Sequence, residues 1–231
     1  MIKVHSFAEV LGRYFDLRGK VLIDVGCGTG DLVRWATKEG AKAVGIDTSA
    51  MIARARQNRR AGGERYLVGS AETLSFESGA CDLLTYVASF HHVPRRHMRA
   101  ALQRGWDILK PGGTAVFLEP LSRKGSYYDI VRLVEEETEL RALAARAIQS
   151  APSLGFEPAA EELFYVERSF ADFLGLLRVF VDDAGRRAEI AAAARKTAER
   201  LARKTGESLG AVRYKSICRL NVLIKPSTSS S

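Results

Sequence analysis

The segment Val21-Leu-Ile-Asp-Val-Gly-Cys-Gly-Thr-Gly-Asp31 constrains this chain more than any other stretch. It reads as a buried strand that runs into Gly26, Gly28 and Gly30 and then opens a helix. Glycines in such a turn permit positive φ and let the backbone approach a ligand, whose negative groups a helix N-terminus favours. The spacing is G-x-G-x-G, with Asp31 where a dinucleotide fingerprint carries its third glycine, which argues against a nicotinamide cofactor.

Around this loop, short β-branched runs alternate with helical patterns, as βαβ units of a parallel sheet require. Strands are expected at Val21–Val25, Ala43–Ile46, Tyr66–Val68, Asp82–Tyr86 and Thr114–Leu118. Helices are expected at Asp31–Glu39, Ser49–Arg60 and Arg96–Leu109, the last stopped by Pro111-Gly112-Gly113. The second half reads as helix over Ser126–Ser150, strand over Glu162–Ser169, helices over Phe170–Val181 and Arg187–Lys204, and a last strand over Tyr214–Ile224. The expectation is therefore an α/β, doubly wound, seven-stranded, mostly parallel sheet with a helical lid insertion. An N-terminal helix over about Ser6–Asp16 would close over the sheet edge, with Phe7, Val10, Leu11 and Tyr14 on one face.

With 231 residues, 46% of them hydrophobic, the chain suits one core better than two. The expected domain runs over 1–226, comprising a cofactor core at 20–120 and lid and pocket elements at 125–205, with a disordered polar tail at 227–231. No run approaches the roughly 20 apolar residues of a membrane-spanning helix, and the start lacks a signal peptide's apolar stretch, so a cytoplasmic protein is expected. Cys27, Cys81 and Cys218 are too widely spaced for a disulfide framework or a zinc site, and no metal is expected. The formal charge of +8 comes largely from arginines on helix faces, among them Arg54, Arg56, Arg59 and Arg60, and reads first as solvated surface.

About 20 residues beyond the glycine loop, Asp47 ends the second strand, placed to accept hydrogen bonds from both ribose hydroxyls of an adenosine-containing cofactor. Asp24–Gly30, Gly45-Ile-Asp47, Gly69–Phe76, Cys81–Val93 and Leu109-Lys-Pro-Gly-Gly113 together resemble the ordered motifs of class I S-adenosylmethionine methyltransferases, in the branch of quinone-biosynthesis and natural-product enzymes. The resemblance covers about residues 20–120. It implies S-adenosyl-L-methionine as cofactor, with S-adenosyl-L-homocysteine as product. The glycine loop (Asp24, Gly26, Cys27, Gly28, Gly30) would take the methionine part, Asp47 with Thr48 the ribose, and Ser70, Ala71 and Glu72 the adenine, with Val87 at the same edge. Ser70 stands where the family usually carries an Asp, and a hydroxyl accepts the adenine amino bond more weakly.

In a doubly wound sheet the ligand lies beyond the carboxyl ends of the strands. Ser89-Phe-His-His-Val-Pro94 follows the fourth strand and Leu118-Glu-Pro120 the fifth, so His91 or His92 could approach Glu119 there. Methyl transfer from a sulfonium needs donor and acceptor aligned and water excluded, and a hydroxyl acceptor gains from a base. Some small-molecule O-methyltransferases that resemble this chain use a histidine backed by a carboxylate, a role open to either His91 or His92 with Glu119; the alternative is a histidine that packs inside the loop. Tyr14, Tyr127, Tyr128 and Phe173 are candidates to line an acceptor pocket, with Phe164, Tyr165 and Phe170 as further aromatic surface. The leading reading is methylation of oxygen, carbon or nitrogen on a small molecule, with no membrane and no nucleic acid as partner. The rivals are a tRNA or protein methyltransferase, supported by Arg95, Arg96 and Arg99, and a non-catalytic cofactor-binding module.

Overall fold

The computed structural model describes residues 1–121, 128, 137–170, 175, 177, 178, 181, 184–192 and 212–227. In chain order the principal elements are β1 (Ile2–Val4), α1 (Phe7–Tyr14), β2 (Val21–Val25), α2 (Asp31–Lys38), β3 (Lys42–Asp47), α3 (Ser49–Gln57), β4 (Arg65–Val68) and β5 (Cys81–Val87). There follow α4 (Arg95–Ile108), β6 (Leu109–Pro120), α5 (Thr138–Gln149), β7 (Glu157–Phe170) and β8 (Val212–Ile224). Residues 184–192 are also helical.

The strands make one sheet in the order β1-β7-β8-β6-β5-β2-β3-β4, parallel except for β8, which runs antiparallel to both its neighbours. The sheet has eight strands rather than the expected seven. The addition is β1, which pairs in parallel with the edge strand β7, Ile2 opposite Phe164 and Val4 opposite Val166. Three residues are too few to show an alternation pattern, so only the pairing partner reveals this strand. Other bounds differ as well: α3 ends at Gln57 rather than Arg60, β6 begins at Leu109 rather than Thr114, and β7 begins at Glu157 rather than Glu162 and runs on to Phe170, where a helix is expected to start. The extension of β7 is driven by pairing with β8, through a register irregularity between Pro158 and Ala160.

Helices cover both faces, so the central strands read as nearly continuous apolar runs. Leu22, Ile23 and Val25 are all buried. One core layer joins Ile23, Val25, Leu84, Tyr86 and Phe117 to α4 and α5; the other joins Leu22, Leu83, Val116 and Leu118 to α1, α2 and α3. Tyr86, Phe90 and Phe117 interlock in the first, with Tyr86 stacked on Phe117 at 5.0 Å. That aromatic triplet anchors the turn after β5, where the chemistry-bearing residues sit.

Since β2 pairs with β3 on one side and β5 on the other, strand order reverses at β2. This is where an open α/β sheet leaves a crevice, and the glycine loop follows directly. At the start of α1, Ser6 accepts from the Glu9 amide at 3.1 Å and Glu9 accepts from the His5 amide at 2.7 Å, a reciprocal cap that fixes where the helix enters.

Candidate active site

The loop from β2 is stitched to β3. The amides of Gly26 and Cys27 both donate to the Ile46 carbonyl, at 2.8 and 3.0 Å. The Asp47 carboxylate, at the end of β3, accepts from the Gly28 amide at 2.8 Å and from the Thr48 amide at 2.7 Å. A carboxylate has about four lone-pair sites, so Asp47 can hold the loop and still accept from a pair of vicinal hydroxyls. Gly30 caps α2 in the left-handed region, and Thr48 caps α3 through its hydroxyl. Thr48 thus has a capping job whatever else it touches.

Gly26 is required twice over. Its φ is +75°, and a Cβ there would lie 2.4 Å from Cβ of Ser89. Ser89 donates to the Val25 carbonyl at 2.6 Å, so the turn after β5 is clamped against the loop after β2. Nothing in the sequence marked Ser89; only the approach of the two strands shows its role.

Asp24 is 2% exposed and accepts from the Thr85 hydroxyl at 2.7 Å. Burial, opposed by that bond and helped by the nearby Asp47 charge, pushes its pKa up to about 7. A buried acid held this close to neutrality beside a ligand loop is suited to meeting a cation. Cys27 is the opposite case: burial raises its thiol pKa far above the ordinary value, so it is no nucleophile.

A cavity of 490 Å³ opens at this edge, within the range of small-ligand sites. Its walls include Asp24, Gly26, Cys27, Gly28 and Val87, closed by Ser6 and Phe7 at the start of α1. The structure therefore brings together these five expected residues, with Asp47 and Thr48 bonded to the same loop. Ser70 bonds the Thr73 hydroxyl at 2.7 Å, Ala71 is buried in the core, and Glu72 is half-buried beside it. Val68, just before this segment and paired with Asp47, leaves 62% of its surface exposed, an apolar platform the sequence did not single out. Tyr14 goes elsewhere. It lies at the far end of α1, beside Lys20, Asp82, Lys110 and Gly112, which begin strands at the opposite edge of the sheet. Helix α1 runs against the strand direction, so its first turn faces the cavity and its last turn does not. Tyr128 bonds the Thr138 hydroxyl at 2.7 Å, while Tyr127 and Phe173 lie outside the described residues.

The two histidines have different situations. Glu119, on β6, accepts from the amides of Ser89 and Phe90 at 3.1 and 2.8 Å through one oxygen, and its other oxygen bonds Nδ1 of His91. His91 is 2% exposed, and its Nε2 lies 3.5 Å from Glu137, just before α5. Burial opposes its charge, but the two carboxylates prevail and its pKa rises to about 9. Without other ligands such an imidazole is charged at neutral pH and cannot act as a base. His92 packs against it with ring centres 4.1 Å apart and the rings tilted by 40°. Its side chain is 58% exposed, with Nδ1 3.7 Å from Glu137, and burial together with the neighbouring His91 charge lowers its pKa. Arg141 donates to Glu137 at 2.6 Å. Neither Glu137 nor Arg141 was legible beforehand, since Glu137 stands in a run of acids at 135–137 with nothing to mark it out.

Comparison with known proteins agrees with this arrangement. Residues 23–117 match the family model described as a methyltransferase domain. The chain is 36% identical over 140 residues to a ubiquinone biosynthesis O-methyltransferase of Methylococcus capsulatus, covering 58% of this chain and 57% of the relative. It is 33% identical over 139 residues to the enzyme of the same name from Nitrosococcus oceani, again spanning 57% of it. The chain thus spans little more than half the length of these curated relatives. Among solved structures, the Bacillus halodurans methyltransferase candidate BH2331 aligns over 96% of this chain and 99% of its own, at TM-score 0.69 and 16% identity. The cyclase SpnF aligns over 95% of this chain and 80% of its own, at 0.62 and 18%, so the fold alone does not name a reaction. Residues 23–117, which include the glycine loop, Asp47 and the turn after β5, match the model of a methyltransferase domain, on a fold shared with solved Rossmann-like methyltransferases.

Proposed function

We propose that this protein transfers the methyl group of S-adenosyl-L-methionine to a small molecule, and that a hydroxyl oxygen is the acceptor to test first. The observation that carries the reading is Asp47, which bonds the Gly28 amide while facing the glycine loop at the reversal of strand order. The names of the quinone-pathway relatives support an oxygen acceptor.

The cofactor would supply an electrophilic methyl on a sulfonium. The residues of the chain bind and align. Asp47 takes the ribose diol, Asp24 and the loop amides take the methionine end, and Ser70, Ala71 and Glu72 border the adenine, with Val68 beneath it. Ser6 and Phe7 cover the cavity and keep water out. The acceptor approaches from the corner of His91, His92 and Glu137. Glu119 holds that corner rigid by capping the turn and fixing the His91 ring, and any imidazole taking a proton from the acceptor is His92. Of the lid and pocket elements expected at 125–205, the start of α5 would cover the acceptor through Glu137 and Arg141, whereas Glu157–Phe170 belong to the sheet as β7. Residues 1–226 act as one domain. Work in the cytoplasm is part of the same proposal, in keeping with three cysteines that are all free.

The tRNA reading rests on the basic charge and on Arg95, Arg96 and Arg99, of which Arg96 bonds His97 and Arg99 bonds Ser153 at the surface. Arg56 and Arg60, counted in the same charge, donate to the Tyr66 and Glu64 carbonyls. The deciding experiment is calorimetric titration with S-adenosylmethionine and S-adenosylhomocysteine, after removal of co-purified ligand, with Asp47→Ala as control. Micromolar binding that falls at least about 100-fold in the variant is expected, since two backbone amides lose their acceptor along with the ribose. No binding by the unaltered protein would end the proposal.

A further inference from the structure

Outside the glycine loop, one cluster combines ligand chemistry with convergent geometry. His91, His92 and Glu137 each offer an atom, and all three atoms lie within 4.8 Å of one another. Nε2 of His91 is 3.5 Å from one Glu137 oxygen, and Nδ1 of His92 is 3.7 Å from the other. Two ligands bonded at 2.0–2.1 Å to a tetrahedral cation stand about 3.3 Å apart, so three atoms that lie within 4.8 Å of one another would close by at most about 1.5 Å, with one Glu137 oxygen turning to serve both imidazoles. The sequence concealed the set, because Glu137 is 45 residues beyond His92 and comes from another element.

The supporting shell is also in place. Metal-bound imidazoles usually give their second nitrogen to a carboxylate, which fixes the tautomer and strengthens the donor. Glu119 does this for His91 at Nδ1, leaving Nε2 for the cation. Arg141 holds Glu137 through the oxygen nearer His91, leaving the other, Oε1, turned toward His92. His91 is buried and Glu137 mostly so, while His92 stands at the exposed side and gives an entry path.

We propose that His91, His92 and Glu137 bind a divalent transition-metal cation of the zinc or cobalt type, with the fourth position open to a hydroxyl oxygen of the methyl acceptor. Two nitrogens and one carboxylate with a vacant position is the ligand pattern of catalytic rather than structural zinc. On binding, two metal–nitrogen bonds and one metal–oxygen bond form, and any proton on Nε2 of His91 leaves to solvent. Glu119 and Glu137 carry two negative charges and Arg141 one positive, so a dication leaves the corner at about +1. That residual charge favours the acceptor as its oxyanion: the hydroxyl binds, releases its proton to solvent and presents a lone pair to the methyl. His92 then serves as a ligand rather than a base. This role in activating the acceptor rests on the methyl-transfer reading; the metal site does not.

The test is titration of chelator-treated full-length protein with cobalt(II), read by visible absorption and calorimetry, beside a separate titration with S-adenosylhomocysteine. One equivalent bound with the intense bands of four-coordinate cobalt is expected. His92→Ala and Glu137→Gln should each weaken binding at least about tenfold, while His97→Ala, away from the cluster, leaves it unchanged. His92 is exposed, so its variant should fold, and an unchanged thermal midpoint and far-ultraviolet circular dichroism check this. No saturable cobalt binding, or binding that survives both variants, overturns the metal site even when the cofactor product binds. Cobalt binding that follows the variants in a protein that ignores S-adenosylhomocysteine supports the metal site and overturns its assigned role.

Discussion

Asp24 offers a quantitative test of how the cofactor loop is built. Its carboxyl is fully buried with a pKa raised from 3.8 to about 7, chiefly by burial. In the unfolded chain it ionises near the ordinary value, so between about pH 4 and pH 7 the folded protein holds a proton that the unfolded chain has lost. Stability from this residue is therefore greatest at acid pH, falls as pH rises through that window and levels off above 7. Between pH 5 and pH 8 the fall amounts to about 2–3 kcal/mol. Asp24→Asn abolishes this slope, because the amide does not titrate and still offers an oxygen to Thr85. The assay is denaturant unfolding of ligand-free protein at pH 5 and pH 8 for both proteins. The variant should gain about 2–3 kcal/mol relative to the parent over that interval, or roughly 5–10 °C in midpoint by thermal scanning. Comparing the two pH values cancels any fixed cost of the extra amide donor and every group the two proteins share. An equal pH slope in both proteins would refute the argument that Asp24 is ionised at a cost. The same variant should bind S-adenosylhomocysteine more weakly, an exchange of stability for function common at ligand sites.

Gly26→Ala forces a Cβ to within 2.4 Å of Ser89 at a φ of +75°, and should cost at least about 2 kcal/mol and abolish cofactor binding; a normal denaturation midpoint would contradict the clamp between the two loops. Glu119→Gln keeps an oxygen for the Ser89 and Phe90 amides, whereas Glu119→Ala strands both, so the alanine variant should be the less stable by about 1–3 kcal/mol; equal midpoints would show that the cap is unimportant. Gly155→Ala, at φ +97° with Trp106 2.9 Å from the new Cβ, should lower stability by about 1–3 kcal/mol yet leave S-adenosylhomocysteine affinity unchanged, and a loss of affinity would mean that this turn couples to the site.

Much of this protein was legible one residue at a time. The elements around Val21–Val25, Asp31–Lys38 and Lys42–Asp47 follow from periodicity and glycine placement, because hydrophobic spacing and allowed φ are local properties. The pairing of the loop with Asp47 was legible for the same reason: a βαβ unit brings a strand end beside the preceding loop at a nearly constant chain separation. The rest depends on chain segments far apart in sequence. Whether α1 presents Tyr14 or Phe7 to the cavity is set by the direction in which the helix crosses the sheet, and β1 exists only because β7 offers an unpaired edge. The sequence left His91 and His92 equivalent, two adjacent imidazoles with one carboxylate in prospect. Tertiary structure separated them by burying one between Glu119 and Glu137 and leaving the other exposed, for the charge on an imidazole is set by its neighbours in space and its access to water rather than by its neighbours in the chain.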